Sequence, residues 1–243
     1  MKIEPIRTRL FVEGDDLAAF VAEHLTLSEG SVLVVTSKIV SLAEGRVVHV
    51  SDTEQALALM KQESDLAVQT PYTWMTMRQG MAMPRAGFDE SKTKGHIVLL
   101  PKDCYASAAA LHKALCQRFG IKRLGILISD SRTMPLRRGS IGICMGFAGI
   151  EPLKDYGQTQ DMLGAIKRQR LANVVDALTA AAVHTMGESD QMQPLALISD
   201  ADVVFTDKAA SRDDIQIGVE QDLYGPLFEE ARKKGKSKDA KGV

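Results

Sequence analysis

The sequence predicts a fold of mixed strands and helices, and three observations predict it. Two apolar runs of strand length, Val32-Leu33-Val34-Val35 and Leu124-Gly125-Ile126-Leu127-Ile128, each lead straight into a short polar loop, Thr36-Ser37-Lys38 in one case and Ser129-Asp130-Ser131 in the other. A hairpin-like stretch turns at Gly80 between residues 74–79 and 81–84. Several segments repeat apolar residues at helical spacing between recognisable cap residues. With 243 residues, 45% of them hydrophobic and 25% charged, the chain can build a sizeable core as one large domain or as two interleaved lobes.

In chain order, Gly14 and Asp15 precede a helical pattern through Leu17, Phe20, Val21 and Leu25, with acidic residues at the start, where the helix dipole favours them. Gly30 opens the first apolar strand. Gly45 separates that strand and its loop from the β-branched run Val47-Val48-His49-Val50, and residues 52–68 read as a helix opened by Asp52 or Thr53. After the hairpin, residues 85–92 (Arg-Ala-Gly-Phe-Asp-Glu-Ser-Lys) form a polar loop. Residues 96–100 are a strand stopped by Pro101; Asp103 caps a helix through Ala108, Leu111, Leu115 and Phe119, which Gly120 closes. Residues 141–147 read as a strand, followed by an irregular stretch through Pro152 and Gly157. The longest helix is expected over residues 161–186, on the spacing of Leu163, Ile166, Leu171, Val174, Val175 and Leu178, with Gly187 as its stop. Short strands follow at 195–198 and 203–205. Residues 1–228 form the domain, and the Lys-rich tail 229–243, nearly without apolar residues, is expected to be disordered.

Charge and composition exclude several functions. A net charge of -1 gives no electrostatic case for nucleic acid or an anionic membrane. No segment approaches the roughly 18 unbroken apolar residues of a membrane span, and the N-terminus has no secretory apolar region, so a cytoplasmic protein is expected. Cys104, Cys116 and Cys144, odd in number and widely spaced, read as reduced and mostly buried thiols. There is no P-loop. The glycines from Gly142 to Gly149 lack dinucleotide-binding spacing and read as close strand packing, and the five histidines show no metal-ligand spacing.

What remains as chemistry is a set of carboxylates and hydroxyls at element ends: Asp89, Asp130 with Ser131, and Glu188 with Ser189 and Asp190. Hard oxygens of this kind suit Mg²⁺ or Mn²⁺ on phosphates. Asp130 stands out because it follows a fully apolar strand and precedes Arg137 and Arg138, a pair that can hold an anion beside a metal.

Four stretches in one order carry a family resemblance. Residues 30–48 (Gly-Ser-Val-Leu-Val-Val-Thr-Ser-Lys-Ile-Val-Ser-Leu-Ala-Glu-Gly-Arg-Val-Val) and the acidic loop 86–91 (Ala-Gly-Phe-Asp-Glu-Ser) resemble motifs of the coenzyme F420-0:L-glutamate ligase, or gamma-glutamyl ligase, family. So do residues 126–149 with 157–164, and the turn Met186-Gly187-Glu188. The resemblance spans residues 1–206. It implies an α+β fold with mixed and antiparallel sheets and flanking helices. It also implies a homodimeric ligase that uses GTP, two divalent ions (Mg²⁺ or Mn²⁺) and a monovalent cation such as K⁺ to attach L-glutamate by its amino group. Position by position, it implies metal-binding roles for Asp89, Asp130, Ser131 and Glu188, and nucleotide contacts for Ser37, Lys38, Met186, Gly187 and Ser189.

The expected chemistry is attack of an acceptor carboxylate on the γ-phosphoryl group, giving an acyl phosphate that the glutamate amine then displaces, with Arg137 or Arg138 stabilising the transferred group or holding a substrate carboxylate. Two family contacts are replaced here, by Lys92 and Leu42, which motivates an alternative: a nucleotide-binding regulatory protein on a decayed ligase scaffold. A small-metabolite phosphotransferase is a third reading. The largest departure follows Asp130, where Thr-Phe-Gly-Arg-Pro-Trp-Arg in the family becomes Ser-Arg-Thr-Met-Pro-Leu-Arg-Arg. A branch of the superfamily that glutamylates folates carries Pro-Leu-Arg-Arg-Gly there, so the acceptor is coenzyme F420-0 or a folate.

Overall fold

The computed structural model describes residues 1–91, 95–157 and 170–239, with the backbone alone described for 89–91 and 234–239. Met1–Gly45 supply strand β1 (Lys2–Ile6), helix α1 (Leu17–His24), β2 (Ser31–Thr36) and α2 (Ser37–Ala43). Arg46–Leu100 supply β3 (Val47–His49), α3 (Thr53–Gln62), β4 (Leu66–Gln69), β5 (Trp74–Arg78), β6 (Met81–Pro84), β7 (Asp89–Ser91) and β8 (His96–Val98). Pro101–Ile215 return with α4 (Cys104–Phe119), β9 (Leu124–Thr133), β10 (Ser140–Ala148), β11 (Leu153–Asp155), β12 (Leu171–Asn173), α5 (Val174–Met186) and β13 (Leu195–Ser199). Helix α6 (Gly225–Asp239) ends the described chain. The first and third segments make one unit, and Arg46–Leu100 with Gln216–Val243 make the other.

The first unit is built on a five-stranded sheet in the order β1-β13-β2-β9-β10. Only β2 and β9 run parallel, Ser31 opposite Leu124 through Thr36 opposite Ser129, and the other pairs are antiparallel. The sheet is therefore mixed, as expected for the α+β class. Both apolar runs that opened the sequence reading are its buried central strands, with Val32 to Val35 and Ile126 to Ile128 all at 0% exposure. Strands covered on both faces read as continuous apolar runs, which is why these two were legible. The core continues from Val32, Val34 and Leu127 through Phe147 to Val175, Leu178 and Ala182 of α5.

Two glycines of β10 set how closely the helices approach. A Cβ on Gly142 would lie 2.5 Å from Cβ of Val183 in α5, and one on Gly146 would lie 2.5 Å from the carbonyl carbon of Cys104 at the start of α4. The close strand packing expected of this glycine run is thus helix-on-strand packing. The register shifts between Cys144 and Gly146, a β-bulge.

Helix α4 has the boundaries its caps specify. The Asp103 carboxylate accepts from the N–H groups of Tyr105 (2.9 Å) and Ala106 (3.1 Å), and Gly120 closes the helix in the left-handed conformation at φ 67°. Replacing Asp103 by Ala removes both acceptors, and the expected cost is about 1 kcal/mol. In a unit of this size that lowers Tm by roughly 2–4 °C, readable by calorimetry.

Other elements differ from the sequence reading. The helix expected over 52–68 stops at Gln62, because Leu66–Gln69 pair with β5 as a strand. The helix expected from 161 begins at Val174, where the Asn173 side chain accepts from the Asp176 N–H; Leu171–Asn173 are a strand paired with β11. Residues 158–169, which carry the start of that expected helix, lie outside the described residues. Of the strand expected at 203–205, an isolated bridge between Ile150 and Phe205 is present. Strand β1 was not expected at all. The tail from Glu229, read as disordered, continues α6 as helix to Asp239. The cysteines are free, with Cys104 and Cys144 buried.

The second unit carries two small antiparallel sheets, β3-β8-β7 and β4-β5-β6. Within it, Glu63 joins two guanidinium groups, accepting from Arg46 at 2.7 Å and Arg78 at 3.0 Å. Among the described residues, no helix is long and apolar enough to cross a membrane.

Candidate functional site

Three chain crossings meet at one end of the five-stranded sheet. Because β2 and β9 are parallel and in register to Thr36 and Ser129, the residues that follow both leave by the same edge. Strand β13 starts there too: the Thr36 N–H donates to the Pro194 carbonyl at 3.0 Å, which fixes the loop after α5 beside them. Ser37 and Lys38, Asp130 and Ser131, and Glu188 and Ser189 are thereby gathered from distant parts of the sequence.

The polar residues after the second apolar run were expected in a loop. They are strand: β9 continues to Thr133, with Ser129, Asp130, Ser131 and Arg132 opposite Cys144, Ile143, Gly142 and Ile141. Strand alternation therefore sends Asp130 and Ser131 to opposite faces. On the α5 face, the Ser131 hydroxyl donates to Glu188 Oε1 at 2.7 Å, and the Ser140 hydroxyl reaches the same oxygen at 3.4 Å. Glu188 comes to this place because Gly187, with φ 83°, ends α5 directly over β10.

On the other face, Asp130 shares its environment with Arg132, two residues on. Asp130 Oδ2 accepts from the Arg132 guanidinium at 2.6 Å, while Oδ1 accepts from the Ser131 N–H at 2.8 Å. Arg132 is 5% exposed, also donates to the Ser131 carbonyl, and lies 3.4 Å from the Met145 sulfur at the bulge. A buried guanidinium hydrogen bonded to a carboxylate fixes the orientation of both groups. Sequence reading missed Arg132; an i, i+2 Asp/Arg pair on one strand face would have indicated it, had the strand been drawn to its full length.

The other expected site residues take varied positions. Ser37 is buried at the first turn of α2, and Lys38 beside it is exposed. The Met186 side chain packs into the apolar core, so the part of this turn able to meet a ligand is its backbone with Gly187 and Ser189. The Ser189 N–H donates to the Gln191 side chain at 2.9 Å. Arg137 and Arg138 lie at the exposed tip of the β9–β10 hairpin, where Leu136 is fully exposed at φ 58°. At about 3.4 Å per residue, the three steps from Asp130 to the end of β9 already span roughly 10 Å, so sequence proximity to Asp130 does not place the pair beside it. Asp89 belongs to the second unit; its backbone pairs with Val98, and its side chain lies outside what is described.

Chemically, Glu188 and Ser131 offer neighbouring hard oxygens that suit a divalent ion such as Mg²⁺ or Mn²⁺. Asp130 lies on the opposite face of β9 from that pair, with Oδ2 held by Arg132 and Oδ1 by the Ser131 N–H. Among the described residues no cluster of three Asp, Glu, His or Cys side chains stands ready for a metal.

The chain matches the family model for F420-0:gamma-glutamyl ligase over residues 5–200. It is 30% identical to the coenzyme F420:L-glutamate ligase of Methanopyrus kandleri over 217 residues, 81% of this chain and 86% of that protein. It is 31% identical to the enzyme of the same name from Halorubrum lacusprofundi over 77% of this chain and 82% of the relative, and 28% identical to that of Archaeoglobus fulgidus over 78% and 83%. With a family match across most of its length and relatives of this identity aligned over most of theirs, the chain belongs to the F420-0:gamma-glutamyl ligase family of amide-forming enzymes.

Proposed function

We propose that the protein is a GTP- and divalent-metal-dependent ligase that joins the amino group of L-glutamate to the carboxylate of a coenzyme acceptor, coenzyme F420-0 or a folate. The observation that carries this reading is the gathering of Ser131, Glu188 and Asp130 with Ser37 and Lys38 at one sheet end, in a chain of this family. In it, the acceptor carboxylate attacks the γ-phosphorus of GTP, releasing GDP and forming an acyl phosphate; the glutamate amine then attacks the acyl carbon and expels inorganic phosphate. Such transfer needs positioning and charge neutralisation rather than a protein nucleophile. Glu188 and Ser131 would hold a divalent ion, which when bound neutralises phosphate charge. Lys38 and the turn at Gly187–Ser189 would contact the nucleotide, and Arg137 or Arg138 would hold a substrate carboxylate. The family resemblance also supports a homodimer, which light scattering of the purified protein measures.

Acceptor choice turns on Leu136. It stands where the F420-specific pattern has an aromatic residue, and it is fully exposed at the hairpin tip. Losing one ring contact is worth about 0.5–1.5 kcal/mol, roughly a tenfold shift in preference. Pterin acceptors are therefore expected to be at least competitive. The test incubates the protein with labelled glutamate, GTP or ATP, Mg²⁺ or Mn²⁺, and F420-0, dihydropteroate or a reduced folate in separate arms, read by mass spectrometry. Gain of one glutamate on any acceptor supports ligation, and no gain in any arm refutes it. A kcat/KM preference above about a hundredfold for F420-0 exceeds what one contact explains and overturns the pterin reading.

A further inference from the structure

His49 and His96 are far apart in the sequence, yet the β3–β8 ladder sets them directly opposite each other. The hydrogen bonding around them fixes which kind of pair they form. The Val50 N–H donates to the Gly95 carbonyl at 2.8 Å, and the Leu99 N–H donates to the Arg46 carbonyl at 2.9 Å. These are bonds between directly opposed residues, so Val50/Gly95 and Arg46/Leu99 are hydrogen-bonded pairs, and alternation makes His49/His96 a non-hydrogen-bonded one. Side chains approach most closely at such positions. The two imidazoles accordingly meet edge to face with ring centroids 5.2 Å apart, and both residues are exposed. Among the described residues, neither ring is hydrogen bonded to another group.

We propose that His49 and His96 form a two-imidazole site for a borderline divalent ion of the Zn²⁺, Ni²⁺ or Cu²⁺ class. Two metal–nitrogen bonds of about 2.0–2.1 Å at a tetrahedral angle need ligand nitrogens roughly 3.4 Å apart. Side chains rooted about 4.5–5.5 Å apart reach that separation by rotation about χ1 and χ2 alone. Imidazole selects these ions over Mg²⁺ and Mn²⁺, so this site differs in chemistry from the hard-oxygen set of Ser131 and Glu188 and shares no residue with it. Bound metal would cross-link β3 to β8 and thereby stabilise the second unit. The small residue between the strands fits this role: Gly95, at φ 62°, brings its backbone close to the His49 ring without a side chain to cover it.

The experiment is calorimetric titration of the untagged full chain with Zn²⁺ in the presence of excess Mg²⁺, repeated with His49→Ala, His96→Ala and the double variant. The expected result is one site that survives Mg²⁺, weakened at least tenfold by either single substitution and no further by the double. Both side chains are exposed, so the variants are expected to fold as wild type, which circular dichroism checks. In parallel, NMR of the five histidine rings is expected to show two resonances moving with Zn²⁺ while those of His24, His112 and His184 stay in place. Absence of a Mg²⁺-resistant site, single variants that bind as tightly as wild type, or movement confined to the other three histidines would each overturn the proposal.

Discussion

Asp130→Asn is expected to reduce ligation by more than a hundredfold and, at the same time, to lower thermal stability. The two effects have separate causes. Loss of the negative charge removes an oxygen donor from the sheet end where phosphate chemistry is proposed. It also takes from the Arg132 guanidinium, 5% exposed, the carboxylate that accepts from it at 2.6 Å. Removing one partner of a largely buried pair is costly because the other charge stays behind; Asp130 is 24% exposed, so solvent lessens the penalty to about 1–3 kcal/mol. Two measurements keep the effects apart. A double-mutant cycle with Arg132→Met should return a coupling of about that size in stability. Mn²⁺ binding followed by electron paramagnetic resonance should weaken in Asp130→Asn whether or not the protein is assayed for activity. Unchanged Mn²⁺ affinity together with unchanged turnover would remove Asp130 from the site.

The largest expected effect on folding lies at Gly146. Replacement by Ala puts a methyl group 2.5–2.7 Å from the carbonyl carbon, oxygen and Cβ of Cys104. Two of those atoms are backbone in the first turn of α4, and neither can swing aside, so the helix must lift from the sheet. Overpacking of this kind costs about 3 kcal/mol or more. Gly139→Ala is the comparison: it lies at the hairpin tip with positive φ and no neighbour within 4 Å, so only its backbone preference is lost, about 1 kcal/mol. Denaturant melts of the two variants should therefore differ clearly in midpoint with similar slopes. A Gly146→Ala protein as stable as Gly139→Ala would mean that α4 does not lie this close to β10.

Where a residue's neighbours in sequence are also its partners in space, the sequence was readable. Helix α4 is marked at both ends by groups that act locally, Asp103 and Gly120, and the buried strands β2 and β9 announce themselves by unbroken apolar runs. The misreadings arise where a distant partner decides. Leu66-Ala67-Val68 continue the helical spacing of α3 acceptably, but pairing with β5 wins. Ser129 to Thr133 look like a loop because they are polar; they remain strand because residues 140–144 supply the facing backbone. That error hid Arg132 and made Arg137 and Arg138 seem nearer to Asp130 than a hairpin allows. The Ser131–Glu188 hydrogen bond and the paired histidines are contacts between residues far apart along the chain, which no local spacing encodes.

The order of strands in the first unit has a consequence for how this protein is made. Strand β1 lies at one edge of the sheet, and its partner is β13, which follows it in the chain only after every other strand of that sheet. At about 5–20 residues per second, β1 waits roughly ten to forty seconds after its own synthesis for the strand that pairs with it. The parallel pair β2–β9 must wait as well, because the whole of Arg46–Leu100 is synthesised between them. Throughout that interval the nascent chain displays Val32-Leu33-Val34-Val35 without the strands that cover it. Pairing in the five-stranded sheet is thus completed only once β13 has been delivered, and until then its apolar strands are the surface that a chaperone would shield.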